Sequence, residues 1–386
     1  MIALGAGGGI SLALVGGGGG GDASSSGSLD LHPVAGSFKP DGTRLAACGA
    51  DRACLEQAFG NLAYYKSPKN ALRVFRERMA TDPAVESGCH RIAHIIGSAS
   101  LARYHGNVPE AFAQGDSTCW SGYYHGILER SFQGVRTATG FTNMARSVCS
   151  GAELRRSLWL TYQCVHGLGH GLMIQTGYNL PFSLGICEKL AAEWDRSSCT
   201  GGIFMENISA GQTSAYGVKS PWLRDNDPVY PCDSPVVKGR ELYCYLMVTS
   251  HVLQTNGNDW QATAKVCARV ASAWVRTCFE SYGRDADGQT RQNPTEVRRL
   301  CRLAGPNERD CLYGAARDMT SNYSNGTRAS ILCRTERAGL RAYCFRGIGT
   351  VLGTISTDEP GRRHACAEVT PSRYLADCLR GAGVLA

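Results

Sequence analysis

Apolar residues in this chain recur at three- and four-residue intervals, the spacing of one helix face. Val266, Val270, Ala273 and Trp274 mark such a face and predict a helix over 263–275. A second helical stretch, 298–304, ends at Gly305-Pro306-Asn307, and the pattern restarts over 310–319. Pairs of short helices separated by tight breaks are therefore the expected unit. The segment 43–65 reads as a helical cap in front of them.

The 18 cysteines turn that unit into a repeat. From residue 149 on they fall in pairs ten to fifteen residues apart: Cys149 with Cys164, Cys187 with Cys199, Cys232 with Cys244, Cys267 with Cys278, Cys301 with Cys311, Cys333 with Cys344 and Cys366 with Cys378. No C-x-x-C occurs, which excludes thioredoxin-type redox motifs, c-type haem attachment and common zinc knuckles. The wider spacing suits a disulfide across a helical hairpin. Each such closure is worth about 3 kcal/mol in the chain-entropy view, and it implies an oxidising compartment. For Cys48, Cys54, Cys89 and Cys119, pairing within the cap and between neighbouring hairpins is open.

Aligned on the second cysteine of each pair, most steps lie near 34 residues, the signature of stacked helical hairpins. Glycine follows three residues later in Gly122, Gly167, Gly202, Gly314, Gly347 and Gly381. A helix glycine costs about 1 kcal/mol against alanine, so a recurrent one implies close approach of a neighbouring helix. The expected fold is an all-α, right-handed α-solenoid of about eight disulfide-stapled hairpins. Its expected divisions are a disordered or signal-like Gly/Ser-rich segment over 1–42, a cap over 43–88, His-containing repeats over 89–259 and Arg-rich repeats over 260–386. The apolar start and following glycine run fit a secretory signal or a disordered tail.

The runs C-L-Y-G-A-A at 311–316, C-F-R-G-I-G at 344–349 and C-L-R-G-A-G at 378–383 carry a resemblance. The layout from 148 to 386 resembles the disulfide-bridged Sel1-like and tetratricopeptide-like repeats of cysteine-rich secreted bacterial proteins. It departs from them in its wider cysteine spacing and in lacking L-G-x-x-Y after the second cysteine. A secreted or periplasmic location is the expectation.

Charge narrows the partners. Lys and Arg number 40 against 33 Asp and Glu. The segment 260–386 holds 19 basic and 12 acidic residues, so the whole surplus lies in the last third. Arginines scattered among acids describe solvated helical faces, not a nucleic-acid groove. No eighteen-residue apolar run occurs in the body, which excludes a multi-span membrane protein. The loop 221–231, with Trp222 at its start, reads as an exposed binding rim or as a spacer between repeats. Three sequons begin at Asn207, Asn322 and Asn325.

The candidate chemistry lies in the histidines. His90 with His94, and His166 with His170, stand four residues apart, so each pair shares a helix face. His125 and Glu129 have the same spacing, and His125 and His170 each follow a register cysteine by six residues. Such pairs on adjacent helices can bind a divalent transition metal: zinc, copper, iron or manganese. Continuing the register gives Met205, Glu206, His251, Arg284 and Arg317, a groove with imidazoles at one end and guanidinium groups at the other.

No serine elbow, Walker A loop, dinucleotide fingerprint or H-E-x-x-H is present, so no catalytic set is complete. Two functions compete. One is a binding scaffold whose groove takes a protein, a peptide or an anionic ligand. The other is a metal-binding protein or metalloenzyme built on the H-x-x-x-H pairs.

Overall fold

The computed structural model describes residues 38–119, 121–212, 219–323, 325–356 and 358–386. Nearly all of the signal-like segment lies outside them. The described residues form 21 α-helices and five short 3-10 turns, with no β-strand. Ten inner helices carry the architecture: α1 (Arg52–Tyr65), α2 (Cys89–Arg103), α3 (Gly122–Ser131), α4 (Leu158–Gln175), α5 (Glu193–Gln212), α6 (Thr249–Thr255), α7 (Val275–Gln289), α8 (Glu308–Tyr323), α9 (Ala338–Ile355) and α10 (Leu375–Gly381). Each packs against the next in chain order, and α4 also touches α9, so the row bends back on itself. Shorter outer helices, such as Pro294–Arg302 and Thr327–Thr335, alternate with the later inner ones. None of the helices is long and apolar enough to cross a membrane, among the described residues.

Local chemistry sets the boundaries. Asn293 caps helix Pro294–Arg302 by accepting from the amides of Thr295 and Glu296, and Pro294 occupies the first turn, where no amide is needed. Gly305–Asn307 becomes a 3-10 turn, and α8 starts directly after it. The helix expected over 263–275 is broken. Trp260–Cys267 ends first, a 3-10 turn spans Ser272–Trp274, and α7 begins at Val275. The Cys267–Cys278 bridge explains the break, since its Cα atoms are 5.3 Å apart across a separation of 11 residues. A continuous helix would hold them about 16 Å apart.

Nine disulfides form, and no cysteine is free among the described residues. Six join the end of an outer helix, or the turn just after it, to the following inner helix: Cys149–Cys164, Cys187–Cys199, Cys267–Cys278, Cys301–Cys311, Cys333–Cys344 and Cys366–Cys378. Cys232–Cys244 instead joins the loop ahead of the Pro235–Val237 turn to the short helix Glu241–Tyr245. Cys48–Cys54 closes the cap, and Cys89–Cys119 ties the start of α2 to the approach to α3. This set fits an oxidising compartment.

The inner helices cross at glycines. A Cβ on Gly97 would stand 1.9 Å from the Tyr123 carbonyl oxygen, and one on Gly126 1.9 Å from that of His94. Helices α2 and α3 therefore meet backbone to backbone. The same reciprocal contact joins α4 to α5 at Gly169 and Gly202, α7 to α8 at Gly283 and Gly314, and α9 to α10 at Gly349 and Gly381. One partner in three of these pairs is the glycine three after the register cysteine, and the other stands five after the preceding register cysteine.

Two surface expectations change. Trp222 is half-buried, its ring parallel to Tyr230 at 6.4 Å. Asn207 is fully buried and accepts from the Ser220 hydroxyl, so its sequon is closed to a glycan in the folded chain.

Candidate metal centre

The glycine crossings place the histidines. Because α2 and α3 touch at Gly97 and Gly126, His94 comes to lie against His125 and Glu129. The α4–α5 crossing likewise lays Glu206 beside His170. Helix α4 is buried along nearly its whole length, so His166 and His170 are interior.

Five imidazoles gather there. Ring centroids are 4.6 Å apart for His90 and His94, 5.4 Å for His125 with each of them, and 5.7 Å for His125 and His166. His125 stacks on His170 at 4.0 Å. The potential ligand atoms fall into two triads, His90-His94-His125 and His125-His166-His170, each within 4.8 Å. His125 belongs to both.

The outer edges of the rings are held. The Nδ1 of His94 lies 3.2 Å from a Glu129 oxygen, and that of His170 lies 2.7 Å from Glu206. The Nδ1 of His90 is 3.0 Å from the Cys119 carbonyl oxygen, which can only accept. Such carboxylate and carbonyl partners fix the tautomer of metal-ligating histidines and aim Nε2 at the ion. The inner edges then meet: Nε2 to Nε2 is 3.1 Å between His90 and His94 and 3.3 Å between His166 and His170. Two nitrogens bound to a tetrahedral zinc at about 2.0–2.1 Å would be about 3.3–3.4 Å apart.

Burial favours the neutral form of four of these rings, His90, His94, His125 and His166. It drives His94 and His125 well below the ordinary histidine range, lowers His90, and takes His166 to about 3; the neighbouring rings add to the effect. Neutral imidazole is the form that binds metal. The two carboxylates differ. Burial pushes Glu129 up to about 7. Burial also pushes Glu206 upward, but the His170 ring and the Tyr178 hydroxyl, which donates to it at 2.9 Å, outweigh that and leave it below the usual range. Tyr178, held at φ 60° after Gly177, is a site residue that no spacing rule picks out.

Within the cluster, His125 is the ring with both nitrogens unpaired, and His166 leaves its Nδ1 unpaired as well. His125 is 1% exposed, and neither of its ring nitrogens has a hydrogen-bond partner. Buried polar groups are almost always paired, and an orphan calls for a water, an ion or a functional role.

The residues expected to line a groove are placed differently. The imidazoles of His94, His125, His166 and His170 are interior rather than open to solvent. Glu206 joins the histidines, while Met205 is half-buried. His251 is buried, with Nε2 3.2 Å from the Arg224 carbonyl oxygen. Arg284 pairs with Asp285 at 2.8 Å and also reaches the Ser250 hydroxyl. Arg317 lies 3.5 Å from Glu280, which Arg276 also holds at 2.9 Å.

Fold and site together define a disulfide-stapled, all-helical protein with an imidazole-rich interior. No family model, curated protein or solved structure matches the chain.

Proposed function

We propose that this is a secreted or periplasmic metal-binding protein, an α-solenoid of stapled hairpins that encloses a divalent transition metal among His90, His94, His125, His166 and His170. Glu129 and Glu206 orient the ligands from behind. The observation that carries the reading is His125, buried among four other imidazoles with neither ring nitrogen hydrogen-bonded. The His90–His94 contact supports it. With Glu129 ionised, both rings carry their hydrogen on Nδ1 and turn lone pairs toward each other across 3.1 Å. A cation between them removes that repulsion. A neutral Glu129 would instead reverse the His94 tautomer and bridge the rings with a hydrogen, so metal content decides between the two. All-nitrogen ligation suits zinc or copper best, with iron and manganese behind them.

The test is elemental analysis of chain purified without a histidine tag, together with thermal stability before and after adding zinc. Bound metal, or a clear rise in melting temperature with zinc, supports the reading. Metal-free protein indifferent to zinc and copper refutes it. The second reading, a binding scaffold for an anionic or peptide ligand, draws on a surface cleft beside Phe345 and Tyr374, lined by Arg334, Arg341 and Arg373. That reading requires no metal.

A further inference from the structure

We infer that the site holds two metal ions bridged by the His125 ring. The inference rests on the metal-binding reading and adds the nuclearity of the centre. Its ground is the division of the ligands. No single group contains all five rings; they form two triads with one common member. Each triad keeps its potential ligand atoms within 4.8 Å, against an edge of about 3.3–3.4 Å for nitrogens on a tetrahedral zinc, so each triad marks a separate position whose rings draw in on its ion. The two H-x-x-x-H pairs supply two rings apiece, His90 with His94 and His166 with His170, each pair with its Nε2 atoms at a tetrahedral-edge separation.

His125 is the only ring the two positions share, and its two nitrogens are both uncommitted. Three of the other rings differ in this respect: His90, His94 and His170 each commit Nδ1 to an oxygen acceptor, while His166 leaves Nδ1 unpaired but has its Nε2 3.3 Å from that of His170. Those acceptors restrict each of the three rings to a single ion through Nε2. Imidazole has two in-plane nitrogens, and losing its one ring hydrogen leaves a lone pair on each. In the loaded centre one nitrogen of His125 binds the ion held by His90 and His94. The other binds the ion held by His166 and His170, and to reach it the His125 ring turns out of its 4.0 Å stack on His170, because the in-plane lone pairs of parallel rings do not meet at one ion. The ring proton passes to solvent when the second ion enters, so loading releases one proton from His125, and no oxidant or reductant is required. Glu129 stands behind the first position and Glu206 behind the second, one carboxylate for each ion.

Copper(II) is the probe, because the chain has no free thiol among its described residues to reduce it. The full-length oxidised chain is stripped with chelator, loaded with copper(II) and desalted, and its metal content and electron paramagnetic resonance spectrum are measured. The expected result is two copper ions per chain, a doubly integrated signal far below two spins, and a half-field line from coupling through the ring. The double variant H90A/H94A, checked for native circular dichroism, should then bind one copper with a full one-spin signal. Two ions with uncoupled spectra, or one ion per native chain, would overturn the bridge and leave the metal-binding reading standing. A folded H90A/H94A variant that binds no copper would overturn the second position. A native chain that binds no copper defeats the metal-binding reading and the bridge together.

Discussion

The two halves of this molecule share one backbone plan and put different chemistry on it. In the N-terminal half α2 crosses α3, and α4 crosses α5, at reciprocal glycines; in the C-terminal half α7 with α8 and α9 with α10 do the same. The residue three before the first crossing glycine is His94 on α2 and His166 on α4, but Glu280 on α7 and Arg346 on α9. Glu280 is held by Arg276 and Arg317, so the charge there is answered by charge. In the N-terminal half His125, directly before the crossing glycine Gly126 and packed against His94, has no such answer. The scaffold thus sets distances, and the side chains at a few register positions decide whether an ion is needed to complete them.

The largest expected difference between the halves is in metal binding. Replacing His125 or His170 with alanine should abolish stoichiometric binding at the affected position. Glu280→Ala in the other half, and His364→Ala on the surface, should leave the metal content unchanged. Equal losses from Glu280→Ala and His170→Ala, measured by elemental analysis of folded protein, would erase the distinction. Next comes the support behind the ligands. Glu206→Gln keeps the shape but loses the charge facing His170, and outer carboxylates of this kind are worth about 10–100-fold in affinity. A competition titration with a zinc chelator should show that weakening, and no change for Glu280→Gln.

A third prediction concerns what the halves have in common. A Cβ at position 202 would stand 1.9 Å from the His166 carbonyl oxygen, and one at 314 would stand 2.0 Å from that of Glu280. Gly202→Ala and Gly314→Ala should each destabilise the fold by about 1–3 kcal/mol, the usual cost of overpacking. Only Gly202→Ala should also weaken metal binding, because it moves His166 and Glu206. Denaturant unfolding and zinc titration of both variants separate the two effects.

The smallest effects should be those of pH, with opposite signs in the two halves. Burial holds His94, His125 and His166 below the ordinary range, so the unfolded chain takes up their protons first as acidity rises. Glu129, pushed up to about 7, acts in the opposite sense, but it is one group against three; the ion-free N-terminal half should therefore lose net stability as pH falls below about 6.5. In the C-terminal half burial pushes up both Asp287 and its neighbour Asp318, the latter to about 6. These carboxyls keep protons that the unfolded chain has released by about pH 4, so their contribution is lost as pH rises through about 6. Hydrogen exchange corrected for intrinsic rates should show α3 and α4 opening more readily at pH 5. It should show α7 and α8 opening more readily at pH 8.

Much of this was legible in the sequence, because cysteine and glycine leave a register that composition cannot hide. Pair spacing marked the hairpins, and the fourfold intervals put His90, His94, His166 and His170 on two helix faces. The expected helix over 263–275 failed because periodicity does not register the turn that a disulfide imposes between Cys267 and Cys278. Placing the histidines in an open groove failed for a related reason. Helices that cross at paired glycines leave no room for a groove there, and the second glycine of each pair was needed to see it. Tyr178 acts on Glu206 from a left-handed turn far from it in the chain, and no local pattern announces that.

The account stands most directly on what surrounds His125. X-ray absorption at the zinc edge of the purified, zinc-loaded chain measures that environment. The result predicted is a shell of nitrogen at about 2.0–2.1 Å with the outer-ring scattering of several imidazoles and no sulfur. A shell of oxygen alone, matching hydrated or surface-bound zinc, would contradict it.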